Sequence, residues 1–149
     1  MELKMRFLLV PVWLTLFCAG TVINAQEPPQ GDSYEYFVCP VGPNNPRNSE
    51  AEILELKDGR LLLAWIEFSA STFGGSDSGT AVIAARISRD RGRSWGEKFV
   101  LQENIGKLNV MEPNLLRLKS GKILFIFLRK NSDADCLPMW RISADDGKT

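Results

Sequence analysis

With no histidine anywhere in the chain, Ser-His-Asp and Cys-His nucleophile systems are excluded within it, and so are the usual imidazole metal sites. Chemistry here must run on carboxylates, tyrosine or arginine. One carboxylate is set apart by its neighbours: in Phe73-Gly74-Gly75-Ser76-Asp77-Ser78-Gly79, Asp77 stands among residues with almost no side chains. Such a residue is either a turn Asp in a solvated loop or a group left open for chemistry. Neither Asp133-Ala134-Asp135 nor Asp145-Asp146-Gly147 has the spacing of a calcium loop, so no metal and no cofactor is expected.

The elements that must position these residues read as short strands. Residues 50–56 lead into Lys57-Asp58-Gly59 and residues 60–68 lead out, the pattern of a β-hairpin. Leu61-Leu62-Leu63-Ala64-Trp65-Ile66 is apolar on both faces, as in a strand buried on both sides. The Asp-Gly turn before it and the Ser/Gly-rich stretch after it leave too little length for a helix. Residues 69–79 then make a loop, 80–88 a third strand and 99–101 a fourth. The hairpin returns as Leu115-Leu116-Arg117-Leu118-Lys119-Ser120-Gly121-Lys122-Ile123-Leu124, with Gly121 falling on Gly59, 62 residues on. A second repeat follows the first in the same order. Arg86-Ile87-Ser88-Arg89-Asp90-Arg91-Gly92-Arg93-Ser94-Trp95 returns as Arg141-Ile142-Ser143-Ala144-Asp145-Asp146-Gly147-Lys148-Thr149, with Gly147 on Gly92, 55 residues on. The two offsets differ because the loop before the second copy is shorter, and insertions within repeats fall in loops.

Each part of Ser-x-Asp-x-Gly-x-x-Trp has a job in a tight turn between antiparallel strands. The Asp accepts hydrogen bonds from N–H groups just ahead of it, Gly supplies the positive φ, Ser adds a local bond, and the Trp ring covers the turn. The motif is a folding device before it is anything else. The pattern, at residues 88–95 and again at 143–149, resembles the Asp box of bacterial neuraminidase repeats, found in sialidases and related β-propellers. That resemblance covers residues 47–149 and implies an all-β fold, a sialidase-like β-propeller that is six-bladed in full-length members of the family. Residues 49–149 would then form one complete four-stranded blade and most of a second. The chain is expected to be the N-terminal piece of a longer propeller. Alone it would be unable to bury its sheet faces or pair its last edge, and so would be marginal and aggregation-prone.

Strand alternation narrows where a site can lie. The segment that enters the first strand and the loop that joins the second to the third share one rim, and the Asp-box turns lie on the other. Arg47 and the 69–79 loop therefore share a rim with Glu112, the 131–137 loop and Arg129, the last at the end of the second unit's matching strand. The resemblance implies roles for these residues. Asp77 matches the family's general acid/base, which protonates the leaving oxygen and then activates water, the nucleophile being Tyr rather than a carboxylate. Arg47, otherwise an exposed surface arginine, matches the Arg of an Arg-Ile-Pro motif, one of three that hold the sialic acid carboxylate by paired guanidinium bonds. Arg129 would contact the glycan. The motif here reads Arg47-Asn48-Ser49, and Glu67-Phe68-Ser69 stands where many members have Glu-x-Arg, so sugar specificity is left open. The Tyr nucleophile, its Glu partner and two more arginines are expected from later blades, since Tyr34 and Tyr36 both precede the first strand. Two function classes follow: an exo-acting glycoside hydrolase that removes terminal sialic acid-like sugars from glycans, and a non-catalytic propeller that binds carbohydrate or protein.

Composition and the N-terminus bound the rest. Lys plus Arg equals Asp plus Glu at 18 each, so nothing suggests nucleic acid or an anionic membrane surface as a partner. Lys4 and Arg6 precede an apolar run at 7–18, broken only by Pro11 and Thr15, and small residues then lead to Ala25. Residues 1–25 read as a secretory signal peptide cleaved after Ala25, with the run too short to anchor in a bilayer, and the protein is expected to be secreted or periplasmic. Residues 26–48 form a Pro-rich lead-in with a short strand near residues 34–39. Cys39 and Cys136 are expected as two free, buried thiols rather than a bridge.

Overall fold

The computed structural model describes residues 31, 33–70 and 75–149. The signal-peptide reading of residues 1–25 and the centre of the 69–79 loop lie outside the described residues. Seven strands follow: β1 (Arg47–Glu55), β2 (Leu61–Phe68), β3 (Ala81–Ser88), β4 (Phe99–Gln102), β5 (Asn109–Arg117), β6 (Ile123–Ser132) and β7 (Asp135–Ser143). Among the described residues there is no helix, so the all-β expectation holds.

Two antiparallel meanders, β1 to β4 and β5 to β7, make up the sheet. They join through a single parallel pair, Ala81 with Asn109, giving the order β1-β2-β3-β5-β6-β7 with β4 paired to β3 off that path. The meanders repeat down to the backbone. Each hairpin closes with the same pair of bonds: Leu56 N–H to Arg60 and Gly59 N–H to Leu56, then Leu118 N–H to Lys122 and Gly121 N–H to Leu118. Gly59 and Gly121 both take φ near +80°, which a residue with a Cβ adopts only under strain. Arg91 and Asp146 repeat a positive φ in the Asp boxes, as Glu50 and Glu112 do in the first strand of each meander.

What joins the meanders is packing. Leu62 and Ala64 of β2, Ile83 and Ala85 of β3, Val110 and Leu115 of β5, and Ile123, Phe125 and Phe127 of β6 form one buried cluster. Strand side chains alternate between faces, so Leu62, Ala64 and Ile66 turn one way and Trp65 the other. Trp65 is nevertheless fully buried. Instead of the short strand expected near residues 34–39, the lead-in runs irregularly, with one isolated bridge between Gly42 and Asn45. Its prolines remove ladder donors. It is tied at one end by Tyr34 Oη donating to Arg91 and by Arg93 donating to Gly31. Asn48 holds Cys39 midway, and the Ala70 N–H holds Asn44 at the far end.

The Asp boxes bond as their residue types require. Ser88 donates to Asp90, the Gly92 N–H donates to Ser88, and Asp90 accepts from the N–H and hydroxyl of Ser94. Ser143, Asp145, Gly147 and Thr149 make the same set. The Thr149 hydroxyl, then the Thr149 N–H and the Ser143 hydroxyl, bring Asp145 from the ordinary 3.8 to about 2. Asp90 is lowered too, first by the Ser94 hydroxyl. A carboxyl depressed by folding contributes stability above its unfolded value and loses it as pH falls through the folded one. Asp145→Ala is therefore expected to flatten acid unfolding between about pH 4 and 2, followed by far-UV circular dichroism. An unchanged acid limb would remove the box from the stability account.

Candidate functional site

Register places five residues in one row across the end of the sheet: Arg47 opposite Phe68, Phe68 opposite Ala81, Ala81 opposite Asn109, and Asn109 opposite Lys130. The Asp boxes follow Ser88 and Ser143, which pair with Leu61 and Ile123 at the opposite end. Arg47 lies with its guanidinium 4.6 Å over the Phe68 ring, so an aromatic face holds the cation in place. From there Nη1 donates to the Gly75 carbonyl at 3.1 Å and to Asp77 Oδ1 at 2.6 Å. Gly75 has φ +81°, and a Cβ there would stand 3.1 Å from Arg47 Cβ and 3.3 Å from the Pro46 ring. The loop can lie this close to Arg47 because that position is glycine. Asp77 remains reachable: its side chain is 61% exposed against 35% for Arg47.

The second meander holds the same loop from the other side. Fully buried Asn109 donates from Nδ2 to the carbonyls of Asp77 at 2.9 Å and Gly79 at 2.8 Å. Lys130 Nζ donates to the Asp77 carbonyl at 3.2 Å and pairs with Asp133 at 2.8 Å. Its hydrogen bond to Asp133 raises Lys130 above the ordinary 10.5, keeping it a charged donor. Arg129 stands in register with Val110 and Leu137, and its ion-pair partner is Asp135 at 3.9 Å, not Asp77. The structure thus brings Arg47 and Asp77 into contact and leaves Arg129 out of that contact.

Beside them lie Glu112, which strand alternation puts on this rim, and Glu50, which local sequence signals do not mark. Glu50 and Glu112 each sit in a bulge, between Ser49 and Glu52 in β1 and between Met111 and Asn114 in β5, with φ of 48° and 53°. Pro113 falls inside the second bulge, where the ladder asks for no N–H. Burial, then the charge of Glu112, push Glu50 above the ordinary 4.5, while Arg47 pulls it down. A carboxyl raised by folding contributes stability that is full below its unfolded value and is lost as pH rises through the folded one. Glu50→Gln is therefore expected to raise the urea midpoint at pH 7 but not at pH 4, by under about 1 kcal/mol for so exposed a group. Equal shifts at both pH values would rule out the glutamate pair as the cause.

The repeat carries a signal for Asn109, Lys130 and Glu50, which no motif marks. Asn109 stands 62 residues after Arg47, Lys130 62 after Phe68, and Glu112 62 after Glu50, the hairpin offset in each case. Of the remaining groups, Cys39 and Cys136 are free and half-buried rather than fully buried, and burial pushes the Cys39 thiol up. Tyr34 belongs to the Asp-box end, where its ring also carries Arg93 at 5.4 Å. Among the described residues no group of three or more Cys, Asp or Glu side chains is placed to hold a metal ion.

No family model matches the chain, and no curated protein matches it. A crystal structure of a protein of unknown function from Dyadobacter fermentans is similar in fold, with a TM-score of 0.59 at 19% identity over 75% of this chain and 36% of that one. The chain therefore spans little more than a third of that protein's length. At this identity the likeness is one of fold.

Proposed function

We propose that the intact protein is a sialidase-like β-propeller, secreted or periplasmic, that removes terminal sialic acid-like sugars from glycans. Asp77 is the general acid/base and Arg47 the substrate-binding group, with Arg129 a more distant contact. The observation that carries this reading is the 2.6 Å pair between Arg47 and Asp77 at the end of the sheet away from the Asp boxes. A guanidinium that can take a sugar carboxylate lies beside an exposed carboxyl that can exchange a proton with a glycosidic oxygen. The propeller itself is supported by the repeated meanders and by an apolar groove of about 420 Å³ on the second one. Leu124, Ile126, Pro138, Trp140 and Ile142 line that groove, and Trp140 is 67% exposed. A face this apolar is the kind a further blade covers.

A second reading, a propeller that binds carbohydrate or protein without turnover, is favoured by Arg47-Asn48-Ser49 and Glu67-Phe68-Ser69 standing where Arg-Ile-Pro and Glu-x-Arg would be, with Glu67 paired to Lys98. The two readings part on a single assay of the intact protein with sialylated glycans. Free sialic acid in the supernatant supports the hydrolase, whereas retention on a glycan array with no release supports the binding module.

A further inference from the structure

The loop that carries Asp77 reads, from composition, as solvated and loosely held, yet its backbone is fastened from beneath by residues of the next repeat. Asn109 is fully buried and spends both of its amide hydrogens on this loop, one on the Asp77 carbonyl and one on the Gly79 carbonyl. Lys130, only 9% exposed and opposite Asn109 in the ladder, adds a charged bond to the same Asp77 carbonyl. Arg47 occupies in the first meander the place that Asn109 occupies in the second, and Phe68 the place of Lys130. Two equivalent positions thus close on one loop: the first takes the Asp77 carboxylate and Gly75 carbonyl, the second the backbone on the far side. Among the described residues the Asn109 Oδ1 is buried with no hydrogen-bond partner. An apolar side chain of the same size would leave no unpaired acceptor at this place. What the amide supplies that such a side chain lacks is the pair of donors to the loop.

We infer that Asn109, assisted by Lys130, is a positioning residue that fixes the Asp77 backbone so that its carboxyl meets Arg47. The inference rests on the reading of Asp77 as the acid/base for its effect on turnover, and on geometry alone for its effect on the loop. Two carbonyls held at ordinary hydrogen-bond distance leave the Asp77 backbone little freedom, so its carboxyl swings only about its own side-chain torsions. Displacement of a reacting group by about 1 Å is enough to lower a rate by about 10²-fold. In this arrangement the first repeat supplies the reacting carboxyl and the second fixes its place, which neither meander does alone.

Asn109→Asp keeps the size and removes both donors, and Lys130→Met keeps the stem and removes the charged donor, so the second variant serves if the first does not fold. In the intact protein, amide hydrogen exchange at residues 76–79 should rise in either variant while β2 and β3 stay protected. Exchange unchanged at those amides in a folded variant overturns the inference, whatever the protein's activity. On a sialoside substrate either variant should lower kcat by about 10- to 10²-fold with KM little changed. In an Asp77→Asn background the same substitution should have no further effect on kcat, because residues that act through one group are not additive. Additive losses would assign Asn109 a general structural role and overturn the inference. Full turnover by Asp77→Asn alone would instead remove the acid/base reading, and the exchange measurement would still decide whether the loop is fixed from the second repeat.

Discussion

On the acid/base reading proposed for Asp77, Asp77→Asn in the intact protein is expected to lower kcat for release of a terminal sugar by about 10²- to 10⁴-fold, the usual contribution of a positioned general acid/base. The substitution suits the site because it changes chemistry more than shape. The amide oxygen can still accept from Arg47 Nη1, which now lies 2.6 Å from Oδ1, and the bonds from Asn109 and Lys130 go to the backbone carbonyl. The loop should therefore keep its place while losing the proton it donates. A natural glycoside, whose leaving alkoxide is a strong base, needs that proton more than a fluorogenic aryl glycoside does. The loss should be larger for the natural substrate, and comparing the two separates proton donation from binding. Sugar release that continues at the parent rate from both substrates would take Asp77 out of the mechanism.

Phe127→Ala should be the most damaging single change to the fold. Its ring is 1% exposed, stacks on Phe125 at a centroid distance of 5.1 Å, and belongs to the cluster that unites β2 and β3 with β5 and β6. Between the meanders the backbone ladder offers one residue pair, Ala81 with Asn109, so side chains must supply most of the hold, by packing and by bonds such as those of Asn109 and Lys130. Truncating a buried Phe costs about 3 to 5 kcal/mol, from lost transfer free energy and the cavity left behind. Total stabilities are about 5 to 15 kcal/mol, so the variant should sit near the edge of folding. Urea unfolding of parent and variant measures the difference. A loss under about 1 kcal/mol would mean that contacts elsewhere join the units.

These predictions draw on different depths of the same sequence. The Asp boxes were readable because each works within a few residues: Ser88, Asp90 and Ser94 bond among themselves, and Ser143, Asp145 and Thr149 do so again. Strands β2 and β3 were readable because apolar runs between turn residues have few other outcomes. The lead-in is not legible in this way, because Tyr34, Tyr36, Phe37 and Val38 look strand-like while the bonds that place the segment join Tyr34 to Arg91, Cys39 to Asn48 and Asn44 to Ala70. The first strand of each meander likewise begins earlier than its local sequence signals, at Arg47 and Asn109. Asn48 with Ser49, and Glu112 with Pro113, carry no strand signal, yet cross-strand pairing with Glu67, Ile66 and Leu128 carries the strands past them to Arg47 and Asn109.

The amino-acid order by itself determined a twofold repeat of hairpin and Asp box, an all-β chain, and the end of the sheet to which Arg47 and Asp77 would go. Those features follow from turn chemistry and strand alternation, which act over a few residues and survive without a partner. Tertiary structure alone decided that Arg47 touches Asp77, that Asn109 and Lys130 grip the loop beneath it, and that Glu50 and Glu112 take left-handed conformations side by side. Each of these joins residues about 30 or more apart, and whether such groups meet depends on how one meander packs on the next rather than on any local preference.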